Sequence, residues 1–469
     1  MTIRYFKYTF SYLALALSVC ILACNKQLDL SPTDSIIDPG RTFRTVNDLN
    51  GGLLGAYSGL TYNTIYSISL ITDECTLPSE NGTGGGVATY RWQIDPSSTT
   101  ITGSFGEYYI AIDRANRVLG AMGAVTTKGD EEAALKDQYR GEALALRAYC
   151  HFQLLQSYAE AYDPAAMGVP YMDTAVNSFP SRNTFGEVVA AIEKDLQLAK
   201  TLVPADLEDN TRITLPAISA IQARVALYAK EWDNAVTYAT EAIDALPLAS
   251  AADFPGIWKD TKESEVIWKL KQVAGSNDDL IGSVYFDRDV ALYVPSFELI
   301  NLFDKVHDVR YPAYIKFDDT RGAGNSQYLV NKYAGTSGSL GLADIKLFRT
   351  GEMYLIRAEA LAEKNQTGNG GDDLNALRAA RISGYTPQTF ASKDALITAL
   401  YTERFKELAF EGQRLFDLRR RGMSVTRNPE DAVNALGAVL LKPGQKGYVF
   451  PIPDAETKAN KNMKQNPGY

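Results

Sequence analysis

Residues 215–246 read LPAISAIQARVALYAKEWDNAVTYATEAIDAL and alternate small with large side chains at helical spacing. Tyr228, Trp232 and Tyr238 stand among small residues, which are Ala220, Ala223, Ala226, Ala235, Ala239 and Ala242. Closely packed antiparallel helices need small residues where the two backbones approach and large residues to fill the space beside them. The stretch therefore predicts two helices joined by a short turn.

Helical periodicity recurs on both sides of this pair. Upstream, Thr184 is a predicted N-cap with Glu187 as its capping-box partner, and the helix that they begin ends before Pro204. The other predicted helices are Gly103 to Met122, Glu131 to Ala161, Ala343 to Lys364, Asp372 to Arg381 and Ser392 to Gly422. The chain is therefore predicted to be mainly α. The paired helices look like the tetratricopeptide repeat, a helical hairpin of about 34 residues, and an unrelated alanine-rich bundle is the alternative.

Two regions break the helical pattern. Residues 61–102 are rich in Thr, Ser, Gly and Tyr, and residues 250–342 hold aromatic, Asp and Gly residues with strand-like pieces such as EVIWKL. Long irregular segments inside a compact domain are uncommon unless they are functional. We therefore expect the ligand to bind in these two regions, with short strands among them.

The N-terminus has the layout of a secretory signal. Arg4 and Lys7 precede an uncharged apolar run from Tyr8 to Ala23, which is shorter than the ~20 residues of a membrane-spanning helix. Ile21-Leu22-Ala23-Cys24 resembles the lipobox of bacterial lipoproteins. Because the small Ala23 precedes the cysteine, as in that motif, we expect residues 1–23 to be removed and the Cys24 sulfur to carry lipid. The alternative is an ordinary secretory signal with an incidental cysteine. Two or more acyl chains anchor stably where one does not. Residues 24–40 are polar and turn-rich and are predicted to form a tether.

The composition of the mature chain limits its possible partners, its disulfides and its number of domains. Loss of Arg4 and Lys7 moves the formal charge from −9 to −11, and an acidic chain argues against nucleic acid as a partner. Cys75 and Cys150 are predicted to be buried thiols or to form at most one disulfide. No Pro/Ser linker, charge run or low-complexity break interrupts the chain after residue 40. Residues 41–469 are therefore predicted to form a single domain.

Five separated segments together resemble the SusD/RagB family of nutrient-capturing outer membrane lipoproteins of Bacteroidetes. They are the lipobox with CNKQLDLSPTDS, RGEALALRAYCHFQLLQSYAEAY leading to GVPYM, AISAIQARVALYAKEWDNAVTYATEAID, FRTGEMYLIRAEALAE, and ERFKELAFEGQRLFDLRRRG followed by FPIPDAETKANKNMKQNPGY. The chain departs from the family in two places. Phe105 stands where many members carry Trp, and Asn25, Lys26 and Gln27 follow Cys24 in place of an acidic run.

The resemblance implies a fold of about four tetratricopeptide-like hairpins that scaffold an irregular ligand-binding half. It implies nutrient binding without catalysis and a partner, a SusC-like TonB-dependent transporter over which the lipoprotein sits as a lid. Ligands in the family are mostly oligosaccharides, with peptides in some branches. The implied location is the outer membrane, with the lipid-anchored body facing outside.

Catalytic and metal-binding motifs are scarce in the sequence. The two histidines, His151 in an apolar helix and His307 among charges, have no second His or Cys at metal spacing. No nucleophile elbow, phosphate loop or dinucleotide fingerprint is present. We therefore expect no metal, no cofactor and no enzyme activity. The charged residues of EGQRLFDLRR, from Glu411 to Arg420, are predicted to form ion pairs between helices.

A carbohydrate site needs flat apolar faces for sugar rings and a few polar groups for hydroxyls. The irregular regions supply both, in Tyr66, Asp73, Asn81, Tyr90, Trp92, Tyr285, Asp287, Arg288 and Tyr293. As a hypothesis, Trp92 is the stacking platform and Asp73 and Asn81 hold hydroxyls. The alternative for each residue is that it belongs to the local core.

Two other functions compete with nutrient capture. Tetratricopeptide-like proteins usually bind proteins, so a pure interaction scaffold is one of them. The insertions rich in Tyr, Thr and Gly favour nutrient capture, because a bare scaffold has no use for them. A glycoside hydrolase is the other, and it needs two carboxylates about 5 to 10 Å apart across a cleft. Acidic neighbours such as Asp318 and Asp319 are weak support for that arrangement.

Overall fold

The structure is a computed structural model that describes residues 42–273, 280–287, 289–336 and 339–469. Helices dominate these residues, and the strands are only two to five residues long. The prediction of a mainly α fold with short strands is confirmed. The predicted signal peptide at 1–23, the tether at 24–40 with Cys24, and Arg288 lie outside the described residues.

The helices are α1 Val46–Tyr57, α2 Asn63–Ile71, α3 Val87–Tyr90, α4 Thr99–Ala121, α5 Asp130–Tyr158, α6 Phe185–Leu202, α7 Leu215–Ala229, α8 Trp232–Ala245, α9 Phe254–Ile257, α10 Phe297–Leu302, α11 Arg310–Tyr314, α12 Thr350–Glu363, α13 Thr367–Arg381, α14 Lys393–Glu407, α15 Arg414–Arg420 and α16 Asp454–Ala459. A 3-10 helix spans Ile281–Val284.

The strands are β1 Cys75–Thr76, β2 Val266–Leu270, β3 Phe286–Asp287, β4 Val290–Ala291, β5 Val294–Pro295, β6 Ile315–Phe317, β7 Tyr328–Val330, β8 Gly335–Thr336, β9 Ser339–Leu340, β10 Ile345–Arg349, β11 Val425–Thr426 and β12 Leu440–Leu441. They form antiparallel pairs, namely β1 with β5, β2 with β10, β3 with β4, β6 with β7, β8 with β9 and β11 with β12.

The helix pair predicted at 215–246 is present as α7 and α8, which pack against each other. Thr214 caps α7 through a hydrogen bond from the Ala217 amide. Lys230 adopts a left-handed conformation (φ 61°) and ends α7 just before α8 begins. The predicted capping box between Thr184 and Glu187 is present at the start of α6.

The helices pack into a first hydrophobic core. Helix α5 lies between α4 and α6, and α12 packs against α8, α13 and α14. Helix α5 is buried from Gly141 to Tyr158, because small and large apolar residues meet neighbouring helices on several sides. The tetratricopeptide-like geometry of the helix pairs stays a prediction.

A second hydrophobic core lies beneath the irregular regions, and we call the part of the molecule built around it the irregular half. Its buried aromatic residues include Trp258, Tyr285, Tyr314 and Tyr333. Trp92 packs against both cores. The two halves therefore share packed side chains.

The predicted irregular regions differ from each other in structure. Residues 250–342 hold short helices and strands, as predicted. Residues 61–102 are more helical than predicted, because α2, α3 and the beginning of α4 lie within them. The two regions meet where Thr76 pairs with Val294 in the β1–β5 ladder.

Two predicted helices need correction. The prediction of one helix from Ala343 to Lys364 is wrong at its start, because Ile345–Arg349 is strand β10 and pairs with β2. The prediction of one helix from Ser392 to Gly422 is wrong in the middle. There, Phe410 (φ 64°) and Gly412 (φ 74°) adopt left-handed conformations that separate α14 from α15.

A buried network of ion pairs connects the two halves. The Glu407 carboxylate of α14 lies within 3.0 Å of guanidinium nitrogens of Arg310, Arg349 and Arg381. Arg349 also lies 2.6 Å from the Glu411 carboxylate. The buried Lys332 ammonium forms a second ion pair with that carboxylate, at 2.6 Å. Lys332 follows β7 in the irregular half. The same network of ion pairs therefore joins the helices to the irregular half.

Cys75 and Cys150 are free and buried, so the disulfide that the sequence left open is not formed. Burial raises the pKa of both thiols. Within the described part of the chain, no helix has both the length and the apolar character needed to cross a bilayer.

Candidate functional site

A cleft of about 720 Å³ opens in the irregular half between the β3–β4, β6–β7 and β8–β9 hairpins. It lies within the second region where the sequence predicts a ligand. Its wall has aromatic, aliphatic and polar parts. The aromatic residues are Tyr285, Phe286 and Tyr333; the aliphatic ones include Leu329, Val330 and Leu340; and the polar ones include Asp287, Asp289, Lys316, Asp318, Thr320, Arg321, Asn325 and Asn331.

Two buried tyrosines form the floor of the cleft. The Tyr285 and Tyr333 rings are nearly parallel, with centroids 6.2 Å apart and an interplanar angle of 11°. The Tyr285 hydroxyl is hydrogen-bonded to Ser69 Oγ at 2.9 Å, and the Tyr333 hydroxyl donates to the Phe410 carbonyl at 3.1 Å. Because both hydroxyls are engaged, the floor is held in one position.

Phe286 offers a half-buried ring in the cleft wall. The guanidinium carbon of Arg321 lies 5.4 Å from the centre of this ring. Arg321 donates to the Glu80 carboxylate and to the Asp289 carbonyl. Its buried Nε has no partner among the described residues. The Phe286 ring therefore lies beside Arg321, whose Nε is a hydrogen-bond donor without a partner among the described residues.

Glu80 holds the hairpins of the cleft together. Its carboxylate accepts hydrogen bonds from the Ala291 amide at 3.1 Å and the Ser326 amide at 2.9 Å, besides the one from Arg321. Ala291 belongs to β4, and Ser326 to the loop between β6 and β7. One side chain from the first irregular region thus sets the distance between two hairpins of the second.

Asp318 stands as a charged acceptor at the rim. It accepts from the Thr320 hydroxyl at 2.6 Å and from the Lys316 ammonium at 2.9 Å. These hydrogen bonds hold the pKa of Asp318 at about 2. The carboxylate is therefore ionised at neutral pH and available to donors of a ligand.

The groups described in the cleft offer ring faces and hydrogen-bonding side chains. No group of three or more His, Cys, Asp or Glu that could hold a metal ion occurs among the described residues. His151 is buried in α5, and desolvation lowers its pKa to about 3. Its ring nitrogens are engaged with the Arg147 carbonyl and the Met172 amide.

Two of the predicted site residues lie in the cleft. Tyr285 belongs to its floor, and Asp287 is exposed in its wall. Arg288 lies outside the described residues, although both its neighbours line the cleft.

Three other predicted residues are buried away from the surface. Both oxygens of Asp73 accept from Arg414, at 2.8 and 2.6 Å. The Tyr90 hydroxyl donates to the Asp431 carbonyl at 2.7 Å, and the Tyr293 hydroxyl donates to the Gly85 carbonyl at 2.6 Å. These contacts favour the alternative interpretation, in which the three side chains belong to the core. Their contact with a ligand stays a prediction.

The remaining predicted residues are partly exposed. The Trp92 indole nitrogen donates to the Ile71 carbonyl at 2.9 Å. Asn81 donates to the Leu292 carbonyl at 2.9 Å, and Tyr66 meets the Tyr293 ring edge to face at 6.4 Å. All three join the first irregular region to its surroundings, so a role for them in ligand binding also stays a prediction.

Sequence reasoning missed Glu80, Phe286 and Arg321. Glu80 and Arg321 are 241 residues apart, and no spacing rule relates them. The polar run KFDDTRGAGN at 316–325 was a usable signal, because it places charged residues within a region already expected to bind a ligand.

Two family models match most of the chain between them. Residues 311–469 match a model described as the SusD family, and residues 31–227 match one described as starch-binding associating with outer membrane. SusD-like protein P2 from Formosa agariphila is 23% identical, over 99% of this chain and 100% of that relative.

Solved structures show the same fold. A SusD superfamily protein from Bacteroides thetaiotaomicron superimposes with a TM-score of 0.81 at 22% identity, covering 90% of this chain and 100% of that one. A laminarin-binding SusD-like protein superimposes with a TM-score of 0.72 at 20% identity, covering 91% of this chain and 100% of that one.

Proposed function

The chain belongs to the SusD/RagB family, and we propose that it binds an oligosaccharide at the outer membrane and passes it to a SusC-like TonB-dependent transporter. The cleft in the irregular half carries the proposal, because aromatic residues and charged residues line it together. Two similarities support it, the one to the starch-binding family model and the one to the laminarin-binding SusD-like protein.

The chemistry of the cleft suits a neutral polar ligand. A sugar offers no net charge, so binding depends on ring stacking and on several hydrogen bonds with defined directions. Phe286 supplies a ring face, Arg321 supplies donors, and Asp318 supplies an acceptor. The volume of about 720 Å³ lies in the range typical of small-molecule sites.

We propose binding without turnover. Glycoside hydrolysis needs one carboxylic acid with a raised pKa, so that it can protonate the leaving oxygen. The environment of Asp318 has the opposite effect and lowers its pKa to about 2. This carboxyl group is thus suited to accepting hydrogen bonds from hydroxyls.

An array of oligosaccharides and peptides tests the ligand class. The soluble body from residue 25 is applied to the array, and the same oligosaccharides are assayed in solution for new reducing ends. We expect oligosaccharides to be retained and no reducing ends to appear. Retention of peptides alone would favour the peptide-binding alternative, and new reducing ends would show hydrolysis.

The anchor is proposed to be lipid on Cys24. Cells fed radiolabelled palmitate should label the wild-type protein and fail to label Cys24→Ser. Equal labelling of the two would refute the assignment. Protease treatment of intact cells then tests the face of the membrane, since a body that faces outside is digested without lysis.

The transporter partnership has its own test. The full-length lipoprotein, purified through a tag from detergent-solubilised outer membranes, should bring down a barrel that mass spectrometry identifies as a TonB-dependent transporter. Recovery of the lipoprotein without any such barrel would contradict the partnership and would leave oligosaccharide binding intact.

A further inference from the structure

Glu74 carries a completely buried carboxyl group at the residue before β1. Its oxygens accept hydrogen bonds from two uncharged groups, the Ser69 hydroxyl and the Phe410 amide. Burial raises the pKa of Glu74 to about 7, and the hydrogen bond from the Phe410 amide opposes the rise. A carboxyl group is costly to bury when its partners are uncharged.

The charged groups that act on Glu74 are Asp73, Arg414 and Lys332. Arg414 pairs with Asp73 at 2.6 Å, and Lys332 pairs with Glu411 at 2.6 Å. Both cations therefore have carboxylate partners of their own. Costly buried carboxyl groups with a raised pKa are concentrated at functional sites, so the contacts of Glu74 were followed toward the cleft.

One oxygen of Glu74 reaches the first tyrosine of the cleft floor through Ser69. The Ser69 hydroxyl donates to Glu74 Oε2 at 3.3 Å. Tyr285 lies 2.9 Å from the same hydroxyl, and it is the donor because the Ser69 proton is directed to Glu74. We call Glu74, Ser69 and Tyr285 the serine relay. Tyr285 directly precedes β3, which begins at Phe286, so the relay fixes the start of the strand that carries the ring face of the cleft.

The other oxygen of Glu74 reaches the second floor tyrosine through the Phe410 peptide. The Phe410 amide donates to Glu74 Oε1 at 2.9 Å, and the Phe410 carbonyl accepts from the Tyr333 hydroxyl at 3.1 Å. Phe410 has a left-handed backbone (φ 64°), which is disfavoured for a residue with a Cβ. The hydrogen bond to Glu74 stabilises that conformation. Because Tyr333 follows β7, this branch holds the end of the β6–β7 hairpin.

We propose that Glu74 is a positioning residue of the cleft, which sets the spacing of the two floor rings and so contributes to oligosaccharide affinity without touching the sugar. This inference rests on the proposed function, since it concerns the same cleft. Tyr285 and Tyr333 line the cavity, whereas Glu74 and Ser69 do not. A carboxyl group with a purely structural role would affect stability and would leave the affinity of the folded protein unchanged.

Ser69→Ala tests the serine relay, and Ser67→Ala is the matched control. Both serines are buried on α2, and the Ser67 hydroxyl donates to the Asn63 and Thr100 carbonyls, outside the relay. Calorimetric titration of the soluble body from residue 25 measures Kd at pH 6, with the oligosaccharide that the array retains best. We expect Ser69→Ala to raise Kd by about 3- to 10-fold, the effect of one lost hydrogen bond. Ser67→Ala should leave Kd unchanged.

A double-mutant cycle separates positioning from a general loss of stability. Tyr285→Phe removes the hydroxyl at the other end of the hydrogen bond to Ser69, so it should raise Kd by a similar factor. Ser69→Ala should have no further effect on Kd in the Tyr285→Phe background, because that hydrogen bond is already absent. If the two factors multiply, Ser69 does not act through Tyr285, and the relay is contradicted.

Glu74→Gln and Glu74→Ala test the carboxyl group itself. Glutamine offers a carbonyl oxygen to the Phe410 amide and an amide nitrogen to Ser69 Oγ. At pH 6 it also matches the charge of Glu74, whose pKa burial raises to about 7. Glu74→Gln should therefore bind within about twofold of the wild type, whereas Glu74→Ala loses both contacts and should raise Kd by roughly tenfold or more. Equal affinity of these two variants would overturn the positioning role. Circular dichroism shows whether each variant is folded, and the serine and tyrosine variants decide the question if Glu74→Ala is not.

The outcomes distinguish this inference from the proposed function. An unchanged Kd in Ser69→Ala would overturn the positioning role and leave oligosaccharide binding in place. Equal increases of Kd in Ser69→Ala and Ser67→Ala would also contradict the relay, since any buried hydroxyl of α2 would then have the same effect. A wild-type body that retains no oligosaccharide on the array would refute the proposed function and the inference with it.

Discussion

Glu407→Gln is expected to destabilise the body strongly, because the Glu407 carboxylate is fully buried among three arginines. Its Oε1 lies 2.9 Å from Arg349 Nη1 and 3.0 Å from Arg381 Nη2. Its Oε2 lies 3.0 Å from Arg310 Nη1. Glutamine keeps the shape of the side chain, removes the charge and turns one acceptor into a donor that faces a guanidinium. The arginines are then left with too little negative charge in a buried site.

The size of the effect follows from the remaining partners. Removing one partner of a buried ion pair costs ~3–5 kcal/mol. Arg349 and Arg381 keep Glu265, at 2.7 and 2.8 Å, and Arg310 keeps Glu403 at 2.7 Å. These contacts offset part of the loss, so we expect the free energy of unfolding to fall by about 3 kcal/mol, at the lower end of that range.

Urea unfolding at pH 7, followed by tryptophan fluorescence, measures the change. Trp258 reports on the network because its ring lies 5.1 Å from the Arg349 guanidinium carbon. Glu208→Gln is the matched control, since Glu208 is exposed, and surface changes of this kind stay within about 0.5 kcal/mol. If Glu407→Gln lowers the unfolding free energy no more than the control does, the network does not hold the two halves together.

Three further predictions concern two buried carboxylates, two buried thiols and the partly exposed Trp92 ring. Burial alone would raise the pKa of Glu359 and of Glu403, but neighbouring cations hold both at about 2. The contribution of these two carboxylates to the free energy of unfolding should therefore be fully present above about pH 4.3 and be lost as the pH drops from there toward 2, and a free energy of unfolding that does not fall between about pH 4.3 and pH 2 would contradict this. Cys75 and Cys150 should not react with a thiol reagent such as DTNB in the folded soluble body and should both react in denaturant, whereas rapid reaction of the native protein would show that they are accessible. Trp92→Ala should lower the free energy of unfolding by ~3 kcal/mol, because the ring packs against both cores. The same variant also tests the hypothesis that Trp92 is the stacking platform. An unchanged oligosaccharide affinity in calorimetry would show that it is not.

Local patterns in the sequence predicted the parts of the fold that depend on neighbouring residues. Thr184 and Glu187 form the predicted cap, and residues 215–246 form the predicted hairpin. The interpretation of the C-terminal charges as structural ion pairs is confirmed for Glu411, Arg414, Asp417 and Arg420, whereas Arg419 donates to the backbone carbonyls of Gln156 and Ala159. Arg420 pairs with Glu359 at 2.9 Å, and Arg414 pairs with Asp73 at 2.6 Å. The second pair also explains why Asp73, chosen from composition as a ligand contact, is occupied inside the protein.

Such local patterns could not predict contacts between segments that are distant in the sequence. Glu80 reaches Arg321 across 241 residues, and only the folded chain brings them to one cleft. The five-residue segment Ile345–Arg349 is too short for its periodicity to separate a buried strand from the start of a helix, and its pairing with β2 decides the outcome. Composition selected the right region for the cleft and could not distinguish Phe286 in its wall from Tyr293 in the core.

Calorimetric titration of the soluble body with an oligosaccharide retained on the array tests the central claim most directly. Phe286→Ala removes the ring face of the cleft, and Phe179→Ala, at a side chain 61% exposed elsewhere, is the control. We predict that Phe286→Ala raises Kd by about 5- to 150-fold, as expected for a lost aromatic stack of ~1–3 kcal/mol, and that the control leaves Kd unchanged. Equal affinity of Phe286→Ala and wild type would contradict the assignment of the cleft as the oligosaccharide site.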